Sequence, residues 1–126
     1  MFKRIVRITA ICLIVFSALL CARETNVTFT WTQNIPSDMG GWRIYKSTSS
    51  TGPWEQLFNI EYTIEQDEYT VTRAVEAPDN QTTTYYFSVS AYDDTGNESE
   101  KTLGDRPVTF DYQSPQQPVN FIISVE

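Results

Sequence analysis

From Asn26 the chain alternates apolar and polar residues. Val27, Phe29 and Trp31 share one face of an extended segment, and Thr28, Thr30 and Thr32 share the other. That period, with β-branched and aromatic residues, predicts a half-buried strand. Asn34, Pro36, Ser37, Asp38, Gly40 and Gly41 predict a loop. A second strand follows, with Trp42 and Ile44 opposite Arg43 and Tyr45. Ser47 to Pro53 is turn-rich, Trp54 to Phe58 reads as a short strand, and Tyr69 to Val75 as another. Ala77-Pro78-Asp79-Asn80 predicts a break. Tyr85, Phe87, Val89 and Ala91 then alternate with Tyr86, Ser88, Ser90 and Tyr92. Asp93 to Glu98 reads as a turn containing Gly96, and Val108 and Phe110 mark a last core strand. After residue 22 no window carries a helical period, so the pattern predicts an all-β sandwich or barrel. Its expected core is Val27, Phe29, Trp31, Trp42, Ile44, Tyr85, Phe87, Val89, Ala91, Val108 and Phe110.

The opening segment follows another logic. Lys3, Arg4 and Arg7 precede a nearly pure apolar run from Ile8 to Leu20. As a helix that run spans about 20 Å, short of the roughly 30 Å hydrocarbon core. Residues 1–22 therefore read as a secretory signal peptide, and the expected location is secreted, periplasmic or at the cell surface. Two processing routes stand open. One is cleavage after Ala22. The other is a lipoprotein signal, with Cys21 as the lipidated residue after Ala18-Leu19-Leu20. Membrane attachment is expected only by the second route.

Composition narrows the chemistry. The chain has 126 residues, 13% of them aromatic, with no histidine and a net charge of −7. Ser-His-Asp, Cys-His and His-based zinc chemistry are excluded. Both cysteines, Cys12 and Cys21, lie at the start, so after cleavage the core has no disulfide to support it. The processed chain carries six basic against sixteen acidic residues, a net charge of −10. Such a surface repels nucleic acid and anionic lipid.

The Glu65 and Glu68 carboxyls have no cleft to flank in so small a domain, so no enzyme activity and no cofactor are expected. Asp93, Asp94, Asn97, Glu98 and Glu100 bring oxygen ligands together in a spacing unlike an EF-hand loop. They read as turn chemistry, and no metal is expected. Asn26, Asn80 and Asn97 open sequons that matter only in a eukaryotic secretory path.

Several pieces in order carry a resemblance. Val27-Thr28-Phe29-Thr30-Trp31-Thr32, Gly41-Trp42-Arg43-Ile44-Tyr45-Lys46-Ser47, Gly52-Pro53-Trp54, Thr84 through Asp93 and Gly96-Asn97-Glu98-Ser99 resemble a fibronectin type III domain of the bacterial or phage kind. The likeness places the domain at residues 26–112. It implies a seven-stranded fibronectin III/immunoglobulin-like sandwich, strands A, B and E against C′, C, F and G. Trp31 becomes the strand B core tryptophan, and Tyr85 the residue of a tyrosine corner.

One departure from the family is large. Strand A ordinarily precedes strand B by about a dozen residues, yet only Arg23, Glu24 and Thr25 separate the expected cleavage point from strand B. The proline opening and apolar run of a strand A stand instead at the far end, in the tail 113–126. A sandwich without its first strand leaves the edge of strand B bare. The tail segment 115–126 can fold back on its own domain in the reverse sense, become strand A of another copy, or serve as a linker. All three placements are open at this point.

Arg43, Tyr45, Tyr86 and Tyr92 are expected on the outer face of the C–F–G sheet, and Trp54 at its edge. Aromatics there stack on sugars or anchor a protein partner, although tyrosines also serve as ordinary cross-strand pairs. The expected function is a non-catalytic interaction or structural domain at a cell or virion surface, with a protein partner or itself through the tail. The alternative is a carbohydrate-binding accessory module.

Overall fold

The computed structural model describes residues 22–126. The expected export segment, with Cys12 and the lipidation candidate Cys21, lies outside the described residues. Among the described residues seven strands form in chain order: β1 Ala22–Trp31, β2 Met39–Ser47, β3 Glu55–Glu61, β4 Tyr69–Pro78, β5 Thr82–Asp93, β6 Thr102–Leu103 and β7 Val108–Asp111. β1 and β4 make a two-stranded antiparallel sheet. The second sheet runs β3-β2-β5-β6, with β7 also paired to β5. The fold is all-β, two antiparallel sheets closed over one another.

The alternating segments explain the register. On the outer side of the small sheet, threonines pair across the strands, Thr28 with Thr72 at 2.8 Å and Thr30 with Thr70 at 3.2 Å. The inner side sends Phe29 edge-on against Phe87, with ring centroids 5.1 Å apart. At one end Val75, Ala77, Tyr85, Phe87 and Phe110 form a core cluster. At the other, Met39, Trp42 and Tyr69 pack with Trp31 against them. The Trp31 ring lies 5.2 Å from Trp42, whose own indole N–H donates to Gln33 at 2.8 Å.

Some boundaries and burials differ from the sequence expectation. Ala77 and Pro78 do not break the chain but end β4, paired with Arg23 and Ala22. Proline is tolerated there because β4 pairs with one neighbour only, and its other edge needs no N–H. β6 is too short to leave a periodic signal. Of the expected core, Trp42, Ile44, Tyr85, Phe87 and Phe110 are buried, while Val27, Phe29, Trp31, Val89, Ala91 and Val108 are half-buried. Tyr69, Val75, Ala77 and Met39 join the core without having been expected there. The half-buried residues of β1 have a simple cause: among the described residues no strand pairs the outer edge of β1, so one flank of its inner row stays open.

The tail does not close that flank. Residues 113–126 form no strand, and Val119, Phe121, Ile122, Ile123 and Val125 are all exposed, from 76% to 92%.

Candidate functional site

The open flank of β1 is a groove. One wall is β1 from Thr25 to Trp31, with Thr32 just beyond its end. The other is the inner face of the large sheet at Ile44, Phe87 and Val89, with the segment Thr102–Arg106 and Val108 at the rim. The volume is about 670 Å³, and more of its lining is apolar than polar. Val27, Phe29 and Trp31 enter it from β1 because alternation sends every second side chain inward. A row of backbone N–H and C=O groups along the same edge lacks a strand partner among the described residues, which makes it a template for pairing. The Trp31 indole N–H is buried beside the groove with no hydrogen-bond partner among the described residues.

The start of the groove is fixed by Tyr112, just past β7. Its hydroxyl is hydrogen-bonded to the Thr25 hydroxyl. The Arg23 guanidinium lies 4.6 Å from its ring centroid, a cation–π contact. Arg23 also faces Asp79 at 3.6 Å. The tail thus departs beside the first half of β1.

The outer face of the large sheet is a second candidate surface, and it is already occupied. Arg43 sits 4.4 Å above the Tyr92 ring and donates to Glu98 at 3.0 Å. Tyr45 and Ser90 both donate their hydroxyl protons to the other oxygen of Glu98. Lys101 lies 4.4 Å over the Tyr45 ring. Tyr45 is consequently 8% exposed, not projecting into solvent as expected. The residues 98–101, returning after the turn, fold across it.

Hydrogen bonds from Ser90, then from Tyr45 and Arg43, hold the Glu98 carboxyl below the usual carboxylate range. Burial, and then the bond to Glu98, pushes the Tyr45 phenol above its ordinary value. Tyr86 is half-buried on the same face, opposite Ser47. Trp54 stands apart at the β2–β3 turn, its indole over Gly52 so closely that a Cβ there would lie 2.9 Å from the ring.

The expected site residues therefore divide. Arg43, Tyr45 and Tyr92 come together around Glu98, whereas Tyr86 and Trp54 do not join them. The Glu98 hub escaped sequence reasoning because Gly96-Asn97-Glu98-Ser99 reads as turn chemistry, and nothing local pairs Glu98 with residues 53 and 55 positions earlier. Within that turn Asp93 accepts from the backbone and side chains of Thr95 and Asn97, at 2.8 to 3.0 Å. Its oxygens are engaged in shaping the turn. These bonds, the Asn97 side-chain amide foremost, lower its carboxyl to about 2. Glu65 lines a separate polar depression of about 390 Å³ with Asp67, and Glu68 is exposed in the same loop.

Compared with family models, curated proteins and solved structures, the chain gives no significant match.

Proposed function

We propose that this chain is an exported, non-catalytic interaction or structural domain of a cell or virion surface, built on a fibronectin type III-like sandwich. The observation that carries the reading is the bare edge of β1 and the apolar groove behind it. Soluble domains ordinarily shield such an edge, and one left open with apolar backing is a surface shaped for a partner. The strand order β1-β4 and β3-β2-β5, with β6 and β7 on the far edge of β5, supports the family likeness. It agrees with the B-E and C′-C-F-G sheets of that family less strand A. Six basic against sixteen acidic groups on the described residues argue for a protein partner over nucleic acid.

The carbohydrate reading rests on the outward aromatics. It is the weaker one, because Arg43 covers Tyr92 and residues 98–101 cover Tyr45. A sugar needs a bare ring face to stack on, which leaves it Tyr86 and Trp54. A glycan array, run with the wild-type chain and with Tyr86→Ala and Trp54→Ala, separates the two readings. The expected result is no sugar binding, with the chain recovered by fractionation on the outside of the cell or particle. Sugar binding lost in either variant would install the alternative, and a cytoplasmic chain would overturn the export reading.

A further inference from the structure

Resting on that interaction reading, we infer that the occupant of the β1 groove is the C-terminal segment Val119–Val125 of a second copy of this chain, added as a strand antiparallel to β1. The segment has the pattern the groove requires. Val119, Phe121, Ile123 and Val125 fall on one face of an extended chain, and Asn120, Ile122 and Ser124 on the other. With Val119 set beside Trp31, Phe121 lies beside Phe29 and Ile123 beside Val27. All three inward rows then enter the same groove. The two prolines, Pro115 and Pro118, precede the segment, so every residue from Val119 onward offers an N–H to the ladder.

A chain cannot serve its own groove with this segment. Its tail leaves from Tyr112, whose hydroxyl meets that of Thr25, and six residue steps of β1 carry the strand from Thr25 to Trp31. Running parallel to β1, the six residues 113–118 use up that whole length. They set Ser114, Gln116 and Pro118 beside Val27, Phe29 and Trp31, and the apolar run overshoots the end of β1. Running antiparallel, the segment must first return along β1, about 20 Å at 3.3 Å per residue. The same six residues reach roughly 20–22 Å fully extended, which leaves nothing for two reversals of direction. A second molecule has neither constraint. Its tail enters at the Trp31 end and runs toward Arg23, and the exposure of Phe121 at 86% shows it free to be given. The contact is head-to-tail, so repetition builds a ring or an open filament.

Two measurements on the full-length chain test this. The first is mass by sedimentation from about 1 µM to 1 mM, for wild type and for Phe121→Asp with Ile123→Asp. These positions are exposed in the tail, so circular dichroism should stay unchanged. Wild type is expected to grow to at least several times the monomer mass, and the variant to stay monomeric. The second mixes Thr30→Cys with Asn120→Cys, two outward positions brought side by side in the stated register. A disulfide-linked dimer is expected in the mixture, beyond any formed by either variant alone or by wild type.

Growth in mass unaffected by the tail substitutions would overturn the proposal, as would a monomer throughout with no added cross-link. A doubly substituted chain that closes its disulfide within one molecule would show self-docking and overturn it too. None of these failures touches the interaction reading, which falls instead on sugar binding or a cytoplasmic location.

Discussion

Val27 and Val75 lie on the same two-stranded sheet and differ in what covers them. Val75 is 1% exposed in the core, while Val27 is half-buried beside the open groove. Replacing each by alanine removes the same two carbons. At about 0.8 kcal/mol per buried CH₂, full burial makes the transfer loss roughly 1.6 kcal/mol. At Val75 the close-packed neighbours Tyr85, Phe87 and Phe110 hold their places, and the cavity left behind raises the cost to about 2–3 kcal/mol. At Val27 half the side chain already meets solvent and no closed cavity forms, so the cost is about 0.8 kcal/mol. Urea unfolding of the full-length chain, dilute enough to be monomeric, should show both variants with an unchanged slope. The Val75→Ala midpoint should fall two to four times as far as that of Val27→Ala. Equal costs would refute the reasoning, because they would mean that something in the same molecule covers the inner row of β1. In a concentrated, assembled sample the gap should narrow as a donated strand covers Val27.

Three further outcomes follow. Asp93 has its carboxyl lowered from 3.8 to about 2, so its contribution to stability is complete above about pH 4 and is lost as pH falls through 2. Urea midpoints of wild type and Asp93→Asn should therefore converge between pH 4 and 2, and a constant gap would contradict the turn assignment. Gly41→Ala would place a Cβ 2.3 Å from the Ile60 carbonyl oxygen and 2.6 Å from the Tyr92 hydroxyl. Forcing β2 from β3 should cost about 1–3 kcal/mol, read as a lower thermal midpoint. Glu98→Gln keeps the shape but loses the charge facing Arg43, and its spectrophotometric titration should show the Tyr45 phenol ionising at lower pH than in wild type.

The strands were legible where alternation was long. Val27 to Trp31 and Tyr85 to Tyr92 announce β1 and β5, because period two over five or more residues sorts side chains between a core and a surface. Local signals failed where the deciding contact is distant. Ala77-Pro78 looks like a chain break, yet pairing with Ala22 and Arg23 carries β4 through it. Tyr69 follows a charged stretch, Glu65 to Glu68, and only its packing with Trp31 and Trp42 makes it core. Tyr45 has the outward parity expected of it, but burial comes from Glu98 and Lys101, which the turn after β5 brings back over the sheet. The bare edge of β1 was expected only through the family likeness, as a sandwich without its strand A, and among the described residues no strand pairs that edge.

Amide hydrogen exchange along β1 tests the central claim most directly. In a strand paired on one side only, successive amides point alternately at the partner and away from it. For the dilute, monomeric chain the account predicts alternating slow and fast exchange from Asn26 to Trp31, the slow set facing β4. Uniform protection of every β1 amide in that monomer would contradict it, since the edge would then already be paired.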